Sequence, residues 1–315
     1  MKIILQTIRK FLKIFLFILL GLLALLAILV FRIVTAQMVP KNYTKTVKTG
    51  ADIEAAYLAK GTDSVCYTQA EAPGDWKKFE IYYPSRLLQS SDVFPVVVLV
   101  NGTGVYGSKY KALFEHLASW GFLVLGNEDP STCSGDSADA VLAYLLEENE
   151  RADSIFYQKV DRNNIGISGH SQGGAGVFNA VTVNAHSSLF KTAVSLSPTN
   201  EVTAKELHMD YDLAKLAVPV LMLAGTEGDF ETKLVIPLEQ MQKMYDKLDV
   251  PKVMARKTGC EHGQMLYAAD GYVTAWLMWQ LQGDQRAAAA FVGKNAEILT
   301  NPLYQDQQVF WETLQ

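Results

Sequence analysis

Gly169-His170-Ser171-Gln172-Gly173 is the stretch that decides how the rest of the chain is read. An apolar β-type run, Asn164-Ile165-Gly166-Ile167, precedes it, and a helix-like segment over residues 174–183 follows. Strand, sharp turn and helix are the context in which Gly-x-Ser-x-Gly has a mechanical meaning. A serine lifted from a strand end into so tight a turn takes a strained backbone conformation. The positions two before and two after it then pass close to neighbouring strands, so only the smallest side chains fit. Gly169 and Gly173 supply them. Such a turn exposes the Ser171 hydroxyl at the C-terminal edge of a sheet. It also aims the helix N-terminus and the free amide of Gln172 at the same place. A bare Gly-x-Ser-x-Gly arises by chance too, so the reading depends on what the rest of the chain brings beside it.

Working outward, Val96-Val97-Val98-Leu99-Val100 is a continuous apolar run of the kind buried on both faces of a parallel sheet. Residues 122–125, 192–196, 218–223 and 252–255 read as further strands. Helical segments at 109–120, 136–150, 238–248 and 272–281 alternate with them. Residues 65–67 and 78–83 read as a hairpin near the sheet edge. The pattern predicts an α/β fold, a mostly parallel sheet with helices on both faces. Ligands of such sheets bind beyond the C-terminal strand ends. The Ser171 turn, the Asn101-Gly102-Thr103-Gly104 loop, the Gly225-Thr226-Glu227-Gly228-Asp229 loop and the 259–263 loop all fall at such ends.

A serine hydroxyl becomes a nucleophile only with a base beside it, and the base needs an orienting carboxylate. Of the five histidines, His170 adjoins Ser171 and cannot fold back onto its hydroxyl. His116 is mid-helix before the turn, His186 lies at the far end of the following helix, and His208 is in a connecting segment. His262 alone follows a late strand, in a loop flanked by Gly259 and Gly263. Two carboxylates compete to orient it, Asp229 and Glu227, both after a buried strand and upstream of His262. Glu128 and Asp129 are read as loop carboxylates without a chemical part. The amides of Gln172 and Thr103 are the expected donors to an oxyanion. Cys133 and Cys260 fall in loops at the same edge, which leaves a disulfide between them or buried free thiols as alternatives.

The N-terminus has a different character. Residues 14–31 form an uninterrupted apolar run of about 18 residues, long enough to cross a bilayer core. Arg9, Lys10 and Lys13 precede it and Arg32 follows. A signal peptide cleaved near Val34-Thr35-Ala36 is the rival, but the run exceeds a usual signal core and Arg32 separates it from that site. The reading is an uncleaved anchor over residues 1–34, with its span at about 14–31, then a stalk over 35–60 and one catalytic domain over 61–315. The clustered basic residues before the span place the N-terminus in the cytoplasm and the main domain outside it. A net charge of −5, without a basic stripe bearing interleaved aromatics, argues against a nucleic-acid partner.

The Ser171 turn, Leu117-Ala118-Ser119-Trp120-Gly121-Phe122, the Gly225–Asp229 loop and Trp276-Leu277-Met278-Trp279-Gln280-Leu281-Gln282-Gly283-Asp284 resemble the α/β-hydrolase superfamily. Within it they resemble the branch of chlorophyllases, dienelactone hydrolases and cutinase-like polyester hydrolases. The resemblance implies a serine hydrolase of carboxylic esters, with the chain order nucleophile, acid, base. It puts the acid on the aspartate closing a Gly-x-x-x-Asp loop, which is Asp229, and the oxyanion amides on Thr103 and Gln172. Polyester hydrolases usually carry an aromatic where Thr103 stands; Tyr106 is the candidate to replace it in contacting substrate, with His170 as a second contact. No metal or organic cofactor is implied. Thioester or amide hydrolysis, acyl transfer, and a non-catalytic binding protein on the same fold are the competing readings. The short segment over residues 198–217 predicts an open site without a helical cap.

Overall fold

A computed structural model describes residues 2–311; side chains are described from Lys13 onward, except those of Ile14, Val30, Ile33 and Val34. The chain divides into two compact units, Met1–Met38 and Val39–Gln315. The first is one helix, Lys2–Thr35. Among the described residues, no helix is long and apolar enough to cross a membrane. The basic residues Arg9 and Lys10, and Ile14 and Val30 within the apolar run, lie outside the described side chains. Those described along the run, such as Phe15, Phe17 and Leu25, are exposed.

The second unit holds a nine-stranded sheet. Its strands are β1 (Val65–Glu71), β2 (Lys78–Pro84), β3 (Phe94–Val100), β4 (Leu123–Asn127), β5 (Val160–His170), β6 (Phe190–Leu196), β7 (Val220–Glu227), β8 (Lys252–Glu261) and β9 (Tyr304–Phe310). They lie in the order β1-β2-β4-β3-β5-β6-β7-β8-β9. From β4 to β8 every neighbouring pair is parallel. The β1–β2 hairpin and β9 close the two ends in antiparallel fashion. This is the mostly parallel sheet that the strand and helix alternation predicts.

Period-2 geometry, with both sheet faces covered, explains why residues 96–100 of β3 and 220–224 of β7 are all apolar. In β3, Val96, Val98 and Val100 enter the core on one face, and Val97 and Leu99 the core on the other. In β7, Val220, Met222 and Ala224 face one way, Leu221 and Leu223 the other. Helices Asp136–Glu150 and Leu238–Lys247 cover the first face; Lys111–Ser119 and Asp270–Gln282 cover the second.

One expectation is corrected here. The segment over residues 35–60 is no stalk beyond Met38: from Val39 it belongs to the globular unit, and Val39, Tyr43, Glu54, Tyr57 and Leu58 are buried in it. Tyr43 is buried and its hydroxyl donates to Asp270 Oδ2 at 2.6 Å, while His116 Nδ1 reaches the same oxygen at 2.7 Å. Burial of the imidazole opposes its charge, yet the Asp270 carboxylate more than offsets that and raises the His116 pKa. Helix Asp52–Leu58 brings Glu54 into a buried ion pair with Lys257 of β8 at 2.7 Å. An unpaired charge at that depth is costly, so the pair fixes where the segment lies. Two polar groups that the segment does bury, Tyr43 and Glu54, are each matched by a partner inside. At the C-terminus, where the sequence suggests no element, Tyr304–Phe310 pairs with β8 as an edge strand.

Candidate active site

Ser171 ends β5 and starts helix Gln172–Ala180, with φ 61° and ψ −124°. Few L-residues adopt such a backbone. The flanking glycines are required by close approach: a Cβ on Gly169 would collide with the Gly173 carbonyl, and one on Gly173 with the carbonyls of Val100 and Asn101. The strain is held by backbone hydrogen bonds, Ser171 N–H to the Leu196 carbonyl at 2.9 Å and Thr199 N–H to the Ser171 carbonyl at 3.3 Å.

His262 Nε2 lies 2.9 Å from Ser171 Oγ, and its Nδ1 lies 2.6 Å from Glu231 Oε2. The carboxylate faces Nδ1, so Nδ1 carries the proton and Nε2 presents its lone pair to the serine hydroxyl. Serine and histidine are brought together as the sequence suggests. The acid is not the expected one. Asp229 has an exposed side chain that pairs with Lys233 at 2.9 Å, and Glu227 is exposed as well. Glu231 is fully buried.

The turn after β7 explains the exchange. Residues Phe230–Val235 form a π-helical turn, closed by Ile236 N–H on the Glu231 carbonyl at 2.9 Å. Glu231, Val235 and Ile236 share its buried face, whereas Asp229 and Lys233 pair four residues apart on the outer one. That four-residue spacing, with two aliphatic residues four and five places after Glu231, is the sequence signal that could have separated the two acids.

Glu231 is oriented at both oxygens. Oε1 accepts from the Ser197 hydroxyl and the Gly225 amide, each at 2.6 Å, which leaves Oε2 for His262. Ser197 is itself fully buried, with a left-handed φ of 42°. Burial works to raise the Glu231 pKa, but hydrogen bonds from His262, Ser197 and Gly225 outweigh it, and the net shift is downward. The carboxylate therefore stays ionised.

His170 is not placed as a substrate contact. It is buried, its ring packs on His262 with centroids 4.6 Å apart, and its Nε2–H donates to the His262 carbonyl at 2.8 Å. A carbonyl only accepts, so this fixes the tautomer. Burial first, and then the neighbouring His262, lower its pKa to about 4. His170 thus enters the site as a neutral clamp on the loop that holds His262.

The loop after β3 approaches Ser171 closely: a Cβ on Gly102 would lie 3.5 Å from the Ser171 Cβ. Thr103 and Gly104 form a turn bridged by Val105 N–H on the Gly102 carbonyl at 3.1 Å. Asn101 Nδ2 donates to the carbonyls of Asn127 and Asp129, and Thr132 Oγ1 donates to the Asn101 carbonyl. Thr132 N–H donates in turn to the Gln172 side chain at 3.0 Å. Among the described residues, neither the Thr103 nor the Gln172 amide has a hydrogen-bond acceptor within the protein. Tyr106 stands in the same loop, half-buried, with Lys77 Nζ 4.0 Å from its ring centre. Glu128 and Asp129 serve the loop, accepting from Ser108 and Ser131. The Cys133–Cys260 disulfide is not formed; both thiols are free, and burial raises their pKa values.

The site is open. The segment after β6 forms only the short helix Glu201–Glu206 and a single turn at Leu213–Lys215. A surface cavity of about 870 Å³ beside Glu201, Lys205 and Lys243 is not lined by Ser171, Glu231 or His262. It is a gap between the helices Glu201–Glu206 and Leu238–Lys247.

Sheet order, elbow and strand-end loops together are those of an α/β hydrolase. More narrowly, the family model described as PETase, PET hydrolase-like, matches residues 42–306, and the chain belongs to that family. A bis(hydroxyethyl) terephthalate hydrolase of Streptomyces coelicolor is 30% identical over 150 residues, 47% of this chain and 44% of that protein. The chain thus spans under half the length of that relative.

Glu231→Gln is expected to lower ester turnover by about 10⁴-fold, the effect of presenting the wrong tautomer to the nucleophile. Asp229→Asn is expected to change it less than twofold; steady-state kinetics on the pair decides which acid serves His262. His170 gives a pH signature. Between its ordinary value near 6.5 and its folded value near 4, the unfolded chain binds a proton that the folded one refuses. Stability therefore falls as pH drops through that window, by about 3 kcal/mol in all. Urea titrations at pH 7 and pH 4.5 are expected to reveal the loss, and His170→Gln to remove it.

Proposed function

We propose that the chain is a serine hydrolase of carboxylic esters, with Ser171 as nucleophile, His262 as base and Glu231 as its orienting acid. The observation that carries the reading is the continuous hydrogen-bonded line from Ser171 Oγ through His262 to Glu231, at 2.9 and 2.6 Å. Ser171 attacks the ester carbonyl while His262 Nε2 takes its proton. The imidazolium is stabilised by the buried Glu231 carboxylate. The oxyanion settles on the Thr103 and Gln172 amides, each worth about 3 kcal/mol in the transition state. His262 then protonates the departing alcohol, and water, activated the same way, releases the acyl group.

The open site suits extended or accessible esters, and the family supports the same substrate class. Bis(hydroxyethyl) terephthalate, the substrate in the relative's name, is a rational first test compound. Wild type is expected to take up a fluorophosphonate probe and to hydrolyse p-nitrophenyl esters. Ser171→Ala is expected to lose labelling and about 10⁴-fold or more of turnover, with its circular dichroism unchanged. A folded wild type that resists the probe would favour a binding protein instead.

We also propose that the N-terminal unit anchors the protein, leaving the hydrolase unit outside the cytoplasm. The support is the apolar run at residues 14–31 with its basic flanks. The full-length chain is expected to stay with membranes after carbonate extraction, and its hydrolase unit to be cleaved by protease in spheroplasts. Release into the soluble fraction would dismiss the anchor.

A further inference from the structure

His262 lies between two rings. His170 packs on it from the buried side, and Phe230 meets it edge-on with centroids 4.9 Å apart and planes at 85°. Phe230 is 55% exposed, whereas His170 is 7% exposed. The π-helical turn accounts for this placement. The same turn that points Glu231 inward to His262 Nδ1 leaves Phe230, one residue earlier, on the open side of the imidazole. Leu234 is also exposed on this turn. Its carbonyl accepts from Asn200 Nδ2 and Thr203 Oγ1, which ties it to the segment that bears exposed Val202.

The chemistry says which part of a substrate would meet Phe230. The acyl carbon is bonded to Ser171 and its oxygen is held by the Thr103 and Gln172 amides. The alcohol oxygen receives the proton that His262 Nε2 carries, so the alcohol leaves past the imidazole. A ring seated on the open side of that imidazole borders the alcohol's path. An aromatic face there rewards a flat apolar group, through area burial and ring contact, far more than a two-carbon one.

We propose that Phe230 is a specificity-determining residue that forms an aryl-binding wall on the alcohol side of the scissile ester. The inference rests on the hydrolase reading above. Three probes separate the two sides of the bond: benzyl acetate and ethyl acetate share an acyl group, while ethyl benzoate and ethyl acetate share an alcohol. For the purified full-length chain, kcat/KM for benzyl acetate is expected to exceed that for ethyl acetate. Phe230→Ala is expected to cut that ratio about tenfold, mainly through KM, and Phe230→Tyr to restore it. The benzoate-to-acetate ratio is expected to stay put.

An equal loss on all three esters would overturn the inference, since Phe230 would then act only through His262. An unchanged benzyl-to-ethyl ratio, or a loss that follows the acyl group, would overturn it as well. In each of those outcomes wild type still hydrolyses esters, so the hydrolase reading survives. A wild type inert toward all three sinks both.

Discussion

The rest of the structure depends on one strained residue. Ser171 is held at φ 61° and ψ −124°, a backbone that costs of order 1–3 kcal/mol and persists only where its surroundings over-determine it. Here they do: β3 and β6 flank β5, the helix that follows is packed against the sheet, and glycines stand wherever a side chain would collide. The strain points the hydroxyl away from the sheet and turns the first helical amide toward the same side. Without that geometry the hydroxyl would be one more polar atom at a strand end.

A second constraint holds the acid. Glu231 has no exposed surface, and a buried carboxylate is tolerated only where it is fully hydrogen-bonded. The Ser197 hydroxyl, the Gly225 amide and His262 divide its two oxygens. Ser197, like Ser171, ends a strand at positive φ. Strain at two neighbouring strand ends thus converges on one line of hydrogen bonds. His170 completes the arrangement from below: being neutral, it donates to the His262 backbone without placing a second charge beside the imidazole.

The site is also secured from a distance. Glu54 and Lys257 pair in the interior, and Lys257 donates further to the carbonyls of Lys48 and Ala268. Lys257 belongs to β8, the strand that leads to His262. Residues 39–58 therefore brace the strand behind the base, and the Tyr43–Asp270–His116 cluster holds the same segment at its other end. A resemblance centred on the elbow and its loops says nothing of such a brace, because its groups look like ordinary polar residues until their partners are adjacent.

The sequence by itself determined the layered α/β architecture and pointed to Ser171 and His262, which the fold brings within hydrogen-bonding reach of each other. Those features are local: apolar runs, alternating periods and a glycine-bounded turn each carry their meaning within about ten residues. His262 followed by elimination, since only one histidine came after a late strand. Tertiary structure alone decided between Asp229 and Glu231, because two carboxylates two residues apart differ only in which face of a turn they occupy. The irregular winding of residues 230–235 sets that face, and the spacing of Asp229 from Lys233 and of Glu231 from Val235 and Ile236 gives only a local hint of it. The same holds for the inclusion of residues 39–58 in the globular unit, for the edge strand at 304–310 and for the thiols of Cys133 and Cys260 that stay unpaired. Each depends on contacts between segments far apart in the chain, and such contacts exist only once the chain has folded.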